Sequence, residues 1–340
     1  MTSARFRHLI QTEHALSLLR AIGPDATLEG IALIFGAFAA RNAAYQEQLR
    51  TALARVFPER PAPQRRSLAR AIQRGAGLHF GEKLLNLTLA VPESKELAMA
   101  RVDVSGLDLL RAELARGGGV LLATGHFGGY ELLPALLTAH GIPASALVKL
   151  PADRVGEESR RKAAEGGLEL IEMGQGRAAS TQIVDSLRQG RAVIFTIDEI
   201  RRWRRESHEH LSFLGERVPV DQASSRLASL AGCGAVYGAM HRTGRRRYRL
   251  VLEPVAALRG RSRLPAAASI SSLLLERLGA DILREPEQWY HWDDHHVLAR
   301  LAGVAAERGA LRGDSNRLAT EPRQGALVDL REALVGGGEA

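Results

Sequence analysis

The chain has 340 residues, 45% apolar and 25% charged, with a formal net charge of +8. That composition suits a soluble globular protein with a sizeable core. The single cysteine excludes an internal disulfide framework.

Cys233, set in Ala-Gly-Cys-Gly-Ala, reads as a small packing residue in a reducing compartment. The arginine-rich positive balance favours an anionic partner: phospholipid headgroups, an acidic or phosphorylated substrate, or an acidic carrier protein. Nucleic acid is not expected, because aromatics are 5% and no helix-turn-helix, zinc or RNA-binding signature is present. The N-terminus begins polar and basic, without a secretory pattern. The longest apolar run, residues 31–40, is too short to span a bilayer, and fits an interfacial or a buried helix.

Apolar spacing of three and four predicts helices over 14–22, 28–41, 43–56 and 63–89, with Pro58, Pro61 and Pro63 separating the last two. Residues 1–100 therefore form a helical N-terminal region, facing membrane or substrate. From 102 the texture alternates. Strands are expected at 102–104, 120–123, 144–149, 168–171, 192–197, 235–241 and 248–254. Helices are expected at 107–116, 130–140, 154–165, 178–188, 224–231 and 266–283. Such alternation predicts an α/β sandwich around a mostly parallel sheet flanked by helices, over residues 101–300. Residues 301–340 are Gly- and Arg-rich and read as a disordered tail.

In such sheets, ligands bind beyond the carboxyl ends of strands. Three polar loops stand there: His126 with Glu131, the 173–177 segment with Arg177, and Asp198 with Glu199. Residues five apart on a regular helix lie roughly 140° apart. His126 and Glu131 therefore meet only if the histidine stands in the loop and the glutamate in the first helical turn. Gly125, Gly128 and Gly129 permit that passage. A histidine held by a carboxylate is a general base; a loop histidine beside a helix-capping glutamate fits the same spacing. Arg177 and the run Arg201-Arg-Trp-Arg-Arg205 suit anionic groups, or a solvated face. Arg242 and residues 245–249 read as a solvated hairpin. Residues 291–296 hold three histidines and two aspartates, but match no standard metal-ligand spacing. No metal or cofactor is expected. A rival reading takes Gly174-x-Gly176-x-x-Ala179 and Asp198 as a dinucleotide site. Another is a non-catalytic membrane-binding protein.

Gly-Val-Leu-Leu-Ala-Thr-Gly-His126-Phe-Gly-Gly-Tyr-Glu131 resembles the His-x4-Asp/Glu block of the late acyltransferases of lipid A biosynthesis. These are the lauroyl/myristoyl transferases, a family that includes phosphatidylinositol-mannoside acyltransferases. Further blocks follow the family's order over roughly residues 45–295. They are Arg55-Val-Phe-Pro-Glu59, Gly77-Leu-His-Phe-Gly-Glu82, Val104-Ser-Gly106-Leu-Asp, and Ser186 through Asp198-Glu199. Phe213-Leu-Gly215-Glu-Arg-Val-Pro219, Arg226 through Arg242, and Pro286-Glu-Gln-Trp289-Tyr-His-Trp292 continue the series. Three features depart: the family's N-terminal anchor is scarcely supplied, its third acid is Ile200, and its arginine-bearing ending is Asp293-Asp-His-His296.

The resemblance implies a glycerolipid-acyltransferase-like fold and an acyltransferase. Its donor would be an acyl-carrier protein or coenzyme A thioester, and its acceptor a hydroxyl of a glycolipid or related amphiphile. It implies His126 as base with Glu131 orienting it, and substrate binding by Arg177, Asp198, Glu199, Arg201, Gly215, Arg226 and Trp289. Amides of the glycine loop would face the oxyanion. No Gly-x-Ser-x-Gly elbow is present, so transfer is direct. The protein is expected peripherally on the cytoplasmic face of a bacterial inner membrane.

Overall fold

The computed structural model describes residues 13–173, 178–203, 207–244 and 246–303. The chain opens with α1 (Glu13–Arg41), α2 (Ala43–Val56), α3 (Ala62–Thr88) and α4 (Val91–Arg101). The alternating part follows: β1 (Val102–Ser105), α5 (Leu107–Ala115), β2 (Val120–Thr124), α6 (Leu133–Ala139), β3 (Ala144–Val148), α7 (Arg154–Gly166), β4 (Leu168–Glu172), α8 (Ala179–Arg188) and β5 (Ala192–Thr196). After a small hairpin of β6 (His210–Phe213) and β7 (Glu216–Pro219) come α9 (Ala223–Ala231), β8 (Gly234–Gly244), β9 (Arg247–Pro254), α10 (Val255–Arg259) and α11 (Ile270–Arg284).

Seven strands form one sheet in the order β1-β9-β8-β2-β5-β3-β4, parallel except where β8 meets β9. The α/β reading with a mostly parallel sheet and a helical lead-in therefore holds. Every residue of β2 is buried, as its unbroken apolar run requires of a central parallel strand. Leu121 and Ala123 join the core beneath α8, α9 and α11, while Val120 and Leu122 join the core beneath α6. Alternation along one strand thus supplies both layers.

Four local readings change. Helix α4, with Glu93 accepting from the Ala90 amide at 2.9 Å, extends the helical lead-in. The 207–219 loop contains the β6–β7 hairpin, whose turn is Leu214 and Gly215, both at positive φ. The predicted 266–283 helix starts at Ile270, because Ser269 accepts the Ser272 amide at 3.1 Å and caps it there. The 130–140 helix begins as a 3₁₀ turn, Tyr130–Leu132. The predicted tail lies outside the described residues from 304 onward.

Helix α1 is interrupted at Gly23 (φ 79°), just before Pro24. Beyond the break it packs Ile31, Phe35 and Ala39 on Ala76, Phe80 and Leu84 of α3. A Cβ on Gly77 would lie 2.6 Å from Ala32 Cα, so glycine permits that approach. Of residues 31–40, one side is buried in this contact, while Leu33 and Ile34 are exposed. By length and composition alone, Ala15–Arg41 is long and apolar enough to cross a membrane.

The C-terminus of α3 faces inward, where unpaired carbonyls are costly. The Lys162 ammonium of α7 donates to the carbonyls of Leu89 (2.7 Å), Leu87 (2.8 Å) and Asn86 (3.3 Å). Lys162→Met leaves these acceptors without the cation and should lower the unfolding free energy by about 2 kcal/mol, since hydrogen bonds to charged groups contribute that much. Urea unfolding measures it. An unchanged midpoint and slope would mean that the carbonyls find equal partners without Lys162.

Candidate active site

Strands β2 and β5 are parallel neighbours, with Thr124 opposite Thr196. Two residues past each, at the same carboxyl edge, stand His126 and Asp198. The ring Nδ1–H of His126 donates to Asp198 Oδ1 at 2.8 Å. Asp198 Oδ2 accepts the His126 backbone N–H at 2.8 Å and the Trp289 indole N–H at 2.9 Å. The carboxylate is 0% exposed. Burial works to raise its pKa, but His126, then His291 and the Trp289 indole, outweigh it and hold Asp198 well below the usual carboxylate range. His126 Nε2 faces Glu199, 3.8 Å away. Such a pair can act as a base whose tautomer is set from behind, with its second nitrogen directed at the loop edge.

Glu131 does not take that place. Its carboxylate accepts from Asn86 Nδ2 at 3.3 Å and lies 3.9 Å from His79 Nε2. His79 stacks on Tyr130 at 5.3 Å between ring centroids, and Tyr130 in turn sets its edge against His126 at 4.9 Å. Burial first, then the charges of His126 and other neighbouring cations, pushes His79 well below its ordinary pKa. Burial and then Glu131 pushes Tyr130 well above its own. The orienting role that spacing assigned to Glu131 belongs geometrically to Asp198. The 3₁₀ turn points the glutamate toward α3 instead.

The glycine loop is also committed. Gly128 N–H donates to Gln288 O at 2.8 Å and Gly129 N–H to Met240 O at 3.0 Å, while the His126 amide serves Asp198. These three amides are not available to an oxyanion, contrary to the expectation from the loop's composition.

The other named residues separate. Arg201 pairs with Asp294 (Nε to Oδ1, 2.8 Å). Trp289 is fully buried and reaches the site through Asp198. Gly215 turns the β6–β7 hairpin beside Arg55, and Arg226 is exposed on α9. Arg177, Arg204, Arg205 and the Gly174–Gly176 part of the dinucleotide motif lie outside the described residues. Asp198 counts against that dinucleotide reading, since both its oxygens are engaged and no water reaches it. Strand β4 is moreover a sheet edge, not the central first strand such a unit needs.

Sequence reasoning missed His291. Its ring lies 4.3 Å from that of His126, and its Nδ1 is 3.5 Å from Asp294 Oδ2. Burial opposes its charge, but Asp294 first, and then Asp198, raise its pKa above the ordinary value. Asp294 is lowered to about 2 despite burial, through His291 and Arg201. The Asp293-Asp-His-His296 departure therefore has an inward use, which pattern alone cannot reveal. His295 Nε2 and His296 Nδ1 each lie 2.8 Å from a backbone carbonyl, of Leu214 and Asp293. Ligand-type atoms of His126, Asp198 and His291 lie within 4.8 Å of one another, as do those of His291, Asp293 and Asp294. A cation in the first set would have to compete with the three donors on Asp198.

Beside Glu199 opens a cavity of about 230 Å³ with Leu147, Phe195, Trp203, Val220 and Leu275 among its walls. A second, about 220 Å³, lies beyond Glu131 against Leu87, Val148, Leu168 and Leu170. The family described as bacterial lipid A biosynthesis acyltransferase matches residues 5–293. No curated protein matches the chain.

Because the native pKa of Asp198 is depressed, its contribution to stability is present above the unfolded value near pH 4 and is lost as pH falls through the lower native value. Asp198→Asn should therefore cost about 3 kcal/mol at pH 7, since it removes the charged acceptor of buried hydrogen bonds. The gap to wild type should narrow below about pH 4. Denaturant unfolding across pH 3–7 measures it; a gap independent of pH would contradict an ionised Asp198.

Proposed function

We propose a reaction for a chain that belongs to the bacterial lipid A biosynthesis acyltransferase family: transfer of a fatty acyl group from an acyl-carrier protein or coenzyme A thioester to a hydroxyl of a glycolipid or related amphiphile. The observation that carries it is the His126–Asp198 pair at the sheet's carboxyl edge, next to an apolar cavity. A hydroxyl is too weak an acid to attack a thioester unaided. His126 Nε2 takes its proton as the oxygen adds to the carbonyl carbon, and Asp198 stabilises the imidazolium. The tetrahedral oxyanion then collapses, the C–S bond breaks, and the thiolate receives the proton from His126. The apolar cavity beside Glu199 takes the acyl chain. Glu199, 3.8 Å from Nε2, orients the incoming hydroxyl.

The same reading places the protein at the cytoplasmic face of the inner membrane, bound from the side. Leu18, Ile22, Leu33 and Ile34 project from α1 as exposed apolar side chains. The positive net charge attracts anionic headgroups.

His126→Ala should reduce acyl transfer from acyl-CoA or acyl-carrier protein by about 10²–10⁴-fold, the range of general-base catalysis. Asp198→Asn should follow it, and Glu131→Gln should lose much less. Radiolabelled acyl transfer to a lipid extract reads this; a fully active His126→Ala protein would remove His126 as the base, and a wild type that transfers nothing would leave the non-catalytic membrane-binding reading.

Membrane attachment gives a separate expectation. Leu33→Asp with Ile34→Asp should weaken sedimentation with anionic vesicles, and salt near 1 M, where the screening length is about 3 Å, should release the wild type. Release by detergent alone would contradict peripheral attachment.

A further inference from the structure

The loop that carries His126 is held on its far side by a buried ion pair. Glu82, in the middle of α3, is 0% exposed. Arg242 of β8, which the sequence pattern places on a solvated hairpin, instead turns toward it with only 11% of its side chain exposed. Its guanidinium grips Glu82 at two points, Nε to Oε1 at 2.8 Å and Nη2 to Oε2 at 2.7 Å. The same Nη2 donates to the Gly128 carbonyl at 2.7 Å. Tyr248 completes the shell by donating its hydroxyl to Glu82 at 3.0 Å.

Gly128 is thereby tied at both ends of its own residue. Its amide reaches Gln288 O, and Gln288 Oε1 in turn accepts the Arg242 amide at 2.6 Å. Gly128 sits at φ +57°, where a Cβ would fall 1.6 Å from Met240 O. The short segment from His126 to Gly128 is therefore stretched between Asp198 on one side and Arg242 on the other.

An ion pair in such a place is not explained by stability alone, since well-packed apolar residues of similar volume are often as stable. What an apolar pair lacks is a forked donor that satisfies a carboxylate and a carbonyl together. We infer that Arg242, fixed by Glu82, is a positioning residue for the base: it holds the Gly128 carbonyl and through it the placement of His126. The inference rests on the proposed role of His126. A displacement of about 1 Å at a reacting group can cost about 10²-fold in rate.

The test is the double variant Glu82→Gln with Arg242→Met, which buries no lone charge and keeps an acceptor for Tyr248. It should melt near wild type, keep the KM for acyl-CoA within about twofold, and lose about 10²-fold in kcat. Amide hydrogen exchange at Gly128 and Gly129 should speed up. Arg242→Lys, which keeps the charge but not the fork, should fold and recover only part of kcat. A folded double variant with kcat within about twofold of wild type would overturn the inference, as would a kcat loss with exchange at Gly128 and Gly129 unchanged. If the double variant does not fold, full kcat in Arg242→Lys overturns it and a partial loss with faster exchange supports it. If wild type itself transfers no acyl group, the proposed function fails, and the exchange arm still decides the positioning claim.

Discussion

The structure of the site depends on one buried carboxylate. Asp198 accepts from the His126 ring, the His126 backbone and the Trp289 indole. A charge shielded from water is tolerable only when donors surround it, so this group fixes much about its neighbours. It requires β2 and β5 to be adjacent and in register. It requires the Pro286–Gln288 turn to carry Trp289 beneath the sheet edge. It also sets which nitrogen of His126 carries the proton and which faces Glu199.

The fold was largely legible in the sequence, because strands and helices are local. The local patterns gave seven strands close to their observed positions, among them the apolar run before Gly125 that the sheet order places centrally. Elements set by capping and turn chemistry were harder. Ser269 rather than the Ala residues before it starts α11, and Leu214 with Gly215 folds a hairpin within an apparent loop.

The site was legible only in part, for a physical reason. His126 is announced by its strand and glycines. Its partner is not, because the pairing of β2 with β5 brings together residues 72 apart in sequence. Spacing offered Glu131, the nearest acid, but the 3₁₀ turn after Gly129 carries it toward Asn86 and His79. Arg242 was misread for the same cause: hairpin position suggested solvent, and only its long-range pairing with Glu82 of α3 draws it inward. His291 draws its importance from the unusual acids that follow it, since Asp294 faces back toward its ring. Ile200 is buried in the core, so the edge keeps Asp198 and Glu199 as its acids at that strand end.

The central claim is that Asp198, not Glu131, holds the catalytic imidazole. Proton NMR of the Nδ1–H of His126, with ¹⁵N-labelled histidine, reports that hydrogen bond directly. A downfield resonance that disappears in Asp198→Asn and persists in Glu131→Gln is the expected result. A resonance that survives Asp198→Asn and is lost in Glu131→Gln would contradict the account.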